Sequence, residues 1–156
     1  MAQLQIDSDG IDDVLHEMER ANLPLETLCN IIDSALPLLE RSVRAQYAAR
    51  GISLARHTKI CSALIARTGG VIGVVTFRGK YGGKAANTGH YYLKGKSKYP
   101  LSNAGLAVFL EYGVNAHGNF PALPPGGYIQ KAVAAQKDAV IAKLQEGYDK
   151  VTGAKE

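Results

Sequence analysis

The residues best suited to chemistry or binding lie in one stretch just past the middle of the chain. Between Arg78 and Tyr99 there are six basic residues and no acidic residue, and four tyrosines lie among them. Lysine and arginine neutralise phosphates and tyrosine rings stack on bases, so a nucleic acid is one natural partner. Lysine outnumbers arginine, which most often reads base edges, so we favour a protein–protein contact with tyrosine anchors and a lysine rim.

This basic segment thus has two interpretations. The preferred one is an interface with another protein or another copy of the chain, and the alternative is a nucleic-acid-binding module that uses residues 78–99. The predicted interface residues are Lys80, Tyr81, Lys84, Tyr91, Tyr92, Lys94, Lys96, Lys98 and Tyr99.

The start of the same segment resembles a phosphate-binding loop without meeting its requirements. That motif needs four residues between its first glycine and its Gly-Lys pair, followed by Ser or Thr to hold magnesium. Here three residues separate Gly79 from Gly83, and Ala85 follows Lys84. We therefore predict no nucleotide site.

Other catalytic and metal-binding patterns are missing from the sequence. None of the four histidines has a second His or Cys at metal-ligand spacing, and there is no nucleophile-elbow motif. Cys29 and Cys61 are too few for a disulfide framework, and we expect both to be small buried hydrophobes. The sequence predicts no catalytic residue, no metal ligand, no cofactor and no enzymatic activity.

Length and composition are those of one globular domain, residues 1–156. Hydrophobic residues make up 46% of the chain and charged residues 21%. No apolar run approaches the length of a membrane span, and the first residues lack the basic and apolar parts of a signal peptide. We expect synthesis in the cytoplasm of the producing cell and no membrane partner.

The N-terminal third is predicted to be helical over residues 9–50. Asp9 is a candidate N-cap for a first helix that runs to about Asn22, and Pro24 suits the first turn of a second helix. Pro37 interrupts that second pattern and predicts a kink. Gly51 is suited to end the helix.

The hydrophobic period changes in the middle of the chain. Residues 59–66 alternate and 71–77 are β-branched, so we predict a hairpin over 59–78, with helix as the competing prediction for 59–66. Residues 79–101 are rich in Gly, Lys, Tyr and Asn and lack a period, which predicts a long basic loop.

Two more helices are predicted in the C-terminal third. The first spans 102–113, with Ser102 or Asn103 as its cap and Gly113 closing it at positive φ. The second spans 127–151 after the turn residue Gly127. Its apolar face should pack on the sheet and carries Ile129, Val133, Val140, Ile141 and Leu144. The predicted fold class is α+β, with helices packed on a small antiparallel sheet.

Two segments near these helices resemble a known family. In the sequence AVFLEYGV, an aromatic residue precedes a Glu-aromatic-Gly unit, and the sequence GYIQKAV follows the next loop and enters the last helix. This arrangement is similar to that of the tail-completion and tail-terminator proteins of long-tailed bacteriophages. The matching residues are Phe109, Glu111, Tyr112, Gly113, Tyr128, Ile129 and Ala132. Val114 stands where the family commonly has Thr, and Gly127, Gln130 and Lys131 replace its usual Pro, Arg and Pro.

The resemblance implies a structural role in virion assembly. Such proteins form a homo-oligomeric, six-fold ring in the neck, which caps the tail tube and joins it to the head connector or stopper protein. The expected partners are other copies of the chain, those two proteins and the genomic DNA that passes through the channel, and the expected location is the head–tail junction of the virion. Because Phe109, Leu110 and Tyr112 flank Glu111, we expect its side chain to be partly buried and paired with a cation across a subunit boundary.

Overall fold

Four α-helices and one β-hairpin make up the described part of the chain. The structure is a computed structural model, and it describes residues 10–67, 70–79, 102–116 and 122–153, apart from the side chains of Asp12, Leu15 and Glu19. The elements in order are α1 (Ile11–Arg20), α2 (Leu25–Ala48), a 3-10 helix (Ser53–Arg56), β1 (Thr58–Ile65), β2 (Val71–Phe77), α3 (Asn103–Tyr112) and α4 (Tyr128–Thr152).

The two N-terminal helices begin and end at residues with special backbone geometry. α1 ends at Arg20, two residues before the predicted Asn22, and Asn22 itself has φ of 54°. Pro24 precedes α2 as its N-cap, where its missing N–H costs nothing. α2 continues through Pro37 and is about 36 Å long at 1.5 Å per residue. The predicted cap Asp9 lies outside the described residues.

The predicted hairpin is confirmed, and the competing helical prediction for 59–66 is wrong. β1 and β2 are antiparallel, with Thr58 opposite Phe77 and Ile65 opposite Val71. The register shifts between Cys61 and Leu64, which identifies a bulge. β-branched and apolar side chains in both strands explain why the strand wins over the helix.

α2 is the centre of the fold. α4, both strands and the 3-10 helix all pack against it. One core cluster surrounds its C-terminal half, and another surrounds its N-terminal half. The first comprises Val43, Tyr47, Leu54, Ala55, Phe77, Ala107, Ile129 and Ala132. The second comprises Met18, Leu28, Ile31, Ala35, Val140 and Leu144.

The packing partner of the last helix differs from the prediction. α4 packs mainly on α2, which lies between it and most of the hairpin. Its fully buried residues are Ile129, Ala132, Val140 and Leu144. Small residues let α2 and α4 approach closely. The Ser42 hydroxyl of α2 donates to the Ala132 carbonyl oxygen of α4 at 2.9 Å. Because α2 has 24 residues, its apolar surface is longer than that of the hairpin, and α4 therefore packs on α2.

α3 contacts β2, the strand that precedes it in the sequence. Ser102 caps it, and its hydroxyl oxygen accepts the N–H of Gly105 at 2.9 Å. The buried Asn103 joins α3 to the end of β2, because its side-chain amide donates to the Arg78 carbonyl at 2.8 Å. The predicted fold class, α+β with a hairpin packed against helices, is confirmed. No described helix is long and apolar enough to cross a membrane.

Candidate functional site

The nine predicted interface residues between Lys80 and Tyr99 lie outside the described residues. The structure does describe the two points from which their segment leaves and to which it returns. Gly79 and Asn103 are joined there, since the N–H of Asn103 donates to the Gly79 carbonyl at 3.0 Å. Asn103 is buried and also binds the backbone of Arg78. The described residues on either side of 80–101 are thus held together where β2 meets α3.

Glu111 lies in a backbone junction between α3 and α4. Its side chain is buried, and its carboxylate accepts the N–H of Ile129 at 2.8 Å and the N–H of Gln130 at 3.1 Å. These amides belong to the first turn of α4, where N–H groups lack partners within the helix and the helix dipole favours an anion. Within the described residues its carboxylate thus has two amide partners from its own chain, and the pairing with a cation across a subunit boundary stays a prediction.

Gly113 ends α3 in a conformation open almost only to glycine, with φ 75° and ψ 177°. A Cβ atom there would lie 2.4 Å from the carbonyl oxygen of Leu123. The next residue, Val114, pairs with Leu123 through two backbone hydrogen bonds of 2.8 Å. Gly127 precedes α4 with φ 58° and ψ 32°, a left-handed conformation. The two glycines thus bound the turn that brings α3 against the start of α4.

Tyr128, the first residue of α4, lies within an aromatic and basic cluster. Its ring centroid is 5.2 Å from that of the buried Tyr47, and the Arg50 guanidinium lies 4.9 Å above it. Tyr47 also meets Phe77 edge-to-face at 5.5 Å. Burial raises the pKa of the Tyr47 phenol well above its ordinary value, and the nearby carboxylate of Glu111 adds to the increase. In the described part of the chain its hydroxyl has no hydrogen-bond partner.

A second buried carboxylate, Glu40, joins α2 to the hairpin. It accepts hydrogen bonds from the Thr58 hydroxyl and from the Arg44 guanidinium. Arg44 also reaches Thr58, with its Nε 3.3 Å from the hydroxyl oxygen. Glu40 and Thr58 are buried, whereas the Arg44 side chain is 56% exposed. The arrangement satisfies each group and fixes the start of β1, so we assign it a structural role.

Charge is divided unevenly along the chain. Residues 1–40 contain nine acidic residues and one basic residue, whereas residues 41–110 contain twelve basic residues and no acidic one. Seven of those twelve lie in the described part, and all seven are exposed. They are Arg41, Arg44, Arg50, Arg56, Lys59, Arg67 and Arg78. The basic character predicted for 78–99 therefore extends over the C-terminal half of α2 and the hairpin.

The hairpin also carries an exposed aliphatic surface. Side chains alternate between the two faces of β2. The face toward α2 carries Gly73, Val75 and Phe77, and the outward face carries Ile72, Val74 and Thr76. Their partners across the register are Leu64, Cys61 and Lys59. Leu64 is 54% exposed, Ile72 43% and Val74 38%. We call these six residues the outer hairpin face.

The described residues contain no group of three His, Cys, Asp or Glu side chains that could hold a metal ion. Cys29 and Cys61 are free and half-buried, so the expectation of full burial is wrong for both. Comparison of the chain with protein-family models, curated proteins and solved structures finds no match.

The partners of two carboxylates, Glu40 and Asp33, were not predicted from the sequence, and the second of these accepts the N–H of Ala63. A signal for Glu40 was present, because it shares a helical stripe with Leu36, Val43 and Tyr47, and a carboxylate on an apolar stripe is expected to be buried and paired. No pattern linked Glu40 to Thr58 or Asp33 to the bulge of β1, since both pairings depend on how the hairpin lies across α2.

Proposed function

We propose that this protein is a structural assembly protein, a subunit of a homo-oligomeric ring at the head–tail junction of a tailed bacteriophage. In that role it completes or caps the tail and joins it to the head connector or stopper protein. It acts through surfaces and not through a catalytic site.

One observation carries the proposal. The two segments that resemble tail-completion and tail-terminator proteins, separated in sequence, meet at one junction in the fold. Glu111 of the first segment binds the N–H of Ile129 of the second, and Gly113 supplies the turn between them. Ala132, also from the second segment, is fully buried in the core cluster that contains Ile129. The resemblance thus rests on residues that work together as one structural device.

The division of surface types also supports an assembly role. An aliphatic outer hairpin face and a broad basic surface lie on the same small subunit. Exposed apolar patches with charged surroundings are typical of protein interfaces. A closed ring needs such matched surfaces on every copy.

Electron microscopy provides the direct test. Images of the purified protein should show closed rings of one size with a central channel. Antibodies against the protein should label the junction between head and tail in particles of the virus that encodes it. A protein that is monomeric at all concentrations and labels no particle would contradict the proposal.

Nucleic-acid binding is the second candidate, and the run of twelve basic residues without an acidic one over 41–110 favours it. Six of the seven exposed basic residues described between 41 and 110 are arginines, which bind phosphates well. The test is the salt dependence of the affinity for duplex DNA. A binding module should lose affinity steeply with salt, with a logarithmic slope near the number of phosphates contacted. An assembly protein should bind DNA weakly at physiological salt.

A further inference from the structure

The outer hairpin face combines an apolar centre with a basic rim. Leu64, Ile72 and Val74 form the centre and are all exposed. Lys59 lies on the same face, and Arg67 and Arg78 lie just beyond the ends of the strands. In most antiparallel sheets the face turned to solvent is polar, so an aliphatic outer face indicates a contact that buries it.

Two copies cannot cover this face by pairing it with itself. Such a two-fold contact would place the basic rim of one copy against the basic rim of the other, and no acidic residue between 41 and 110 could relieve the repulsion. The face must therefore meet a different surface, which makes the contact heterologous.

Complementary charge lies on the first two helices of the same chain, where Arg20 is the one exposed basic residue between 10 and 40. Asp13 and Glu17 on α1 and Glu26 in the first turn of α2 are exposed acidic residues. Leu25, beside Glu26, is 38% exposed and adds an apolar contact. We call these four residues the acidic corner. They belong to the first forty residues, in which acidic residues outnumber basic residues nine to one.

We propose that the outer hairpin face of one subunit binds the acidic corner of a second copy, so that subunits associate head to tail. This inference rests on the proposed ring and names the two surfaces that would build it. Lys59 and the neighbouring arginines face Asp13, Glu17 and Glu26 of the next copy, while Leu64, Ile72 and Val74 lose contact with water. Each copy uses both surfaces, so the contact repeats until the ring closes.

Charge reversal on the full chain tests the contact. Self-association is measured by sedimentation velocity at about 0.05 M and about 0.5 M NaCl, which bracket weak and strong screening. Lys59→Glu and Glu17→Lys alone should each weaken self-association at low salt by about tenfold or more, because each places like charges together. An equimolar mixture of the two variants should recover association, because every contact then has opposite charges.

Two further variants separate the contact from general effects. Leu64→Ser removes apolar area without changing charge and should weaken association at both salt concentrations. Arg41→Glu makes the same charge change as Lys59→Glu at an exposed residue of α2 that belongs to neither surface, and it should leave the oligomer intact. All four positions are at least partly exposed, and circular dichroism verifies that each variant is folded.

The outcomes distinguish this contact from the proposed function. If a discrete oligomer forms and neither charge reversal changes it, the ring stands and the contact is wrong. Failure of the mixture to recover association also overturns the head-to-tail pairing. If Lys59→Glu leaves the mass unchanged but abolishes binding to a duplex DNA fragment, the face is a nucleic-acid surface and the inference is overturned. A wild-type protein that is monomeric throughout overturns both proposals.

Discussion

The carboxylate of Asp33 on α2 accepts the backbone N–H of Ala63 at 2.6 Å, inside the bulge of β1. The bulge removes that N–H from the ladder with β2, and a half-buried side chain from the helix beneath replaces the lost partner. One hydrogen bond thus fixes both the position of the hairpin on α2 and the register of its strands.

Asp33→Ala should lower the free energy of unfolding by about 1–2 kcal/mol, because the N–H of Ala63 loses its acceptor while still partly shielded from water. Asp33→Asn keeps an acceptor oxygen and should cost less. Urea denaturation followed by circular dichroism measures both. Ser62→Ala, at an exposed neighbour in the same bulge, is the matched control, and an equal loss there would contradict the role given to Asp33.

Glu111→Ala should destabilise the protein by about 2–3 kcal/mol, because two N–H groups at the start of α4 lose a charged acceptor. Ser102→Ala removes the ordinary, exposed cap of α3 and should cost about 1 kcal/mol. The comparison isolates the effect of burial and charge on a helix cap. Similar losses in urea denaturation would mean that Glu111 is no more than an ordinary cap.

Gly113→Ala and Gly127→Ala should differ strongly although both glycines have positive φ. At Gly113 the new Cβ would meet the Leu123 carbonyl oxygen at 2.4 Å, so the backbone must move and the loss should reach about 3 kcal/mol or more. At Gly127 a Cβ would lie 3.9 Å from Gln130 Oε1, an ordinary contact, and only the left-handed backbone costs about 1 kcal/mol. Thermal denaturation compares the two, and the reverse order would contradict this account of the turn.

Tyr47→Phe should change the response to alkaline pH. The pKa of Tyr47 is raised in the folded state, chiefly by burial, so the folded protein holds the phenolic proton more tightly than the unfolded chain does. Its contribution to stability is therefore complete below about pH 10, the ordinary tyrosine pKa, and declines as pH rises above it.

The variant should unfold less steeply above about pH 10 than the wild type. At neutral pH it should be as stable as the wild type or more so, since it removes a buried hydroxyl that has no partner in the described structure. Tyr112→Phe, at a position that is 52% exposed, should leave the decline of stability above about pH 10 unchanged. A large loss of stability at neutral pH in Tyr47→Phe would show that its hydroxyl is satisfied.

The elements were largely predictable, because each has a local signal. Pro24 before α2, Ser102 before α3 and the β-branched run of β2 each fix an element within a few residues. What a residue contacts across the fold was less predictable. The backbone amides that Glu111 accepts were not predicted, because a turn that sequence spacing does not describe brings the start of α4 to it.

The faces of α4 were also only partly predictable. Val140 and Leu144 are buried as expected, but Ile141 and Val133 are half-buried. A sheet was expected beneath them, whereas a second long helix lies there and covers a narrower stripe. The predicted interface residues between 80 and 99 lie outside the described residues, and their role stays a prediction.

The uneven division of charge along α2 gives the protein a permanent electric dipole. The acidic first forty residues include the N-terminal half of α2, and the basic residues that follow begin in its C-terminal half, along a helix about 36 Å long. A molecule of this kind turns in the field of another before the two touch, and such steering raises association rates roughly ten- to a thousandfold at low ionic strength. For the proposed ring, this would turn the acidic end of one copy toward the basic end of the next before their side chains are in contact.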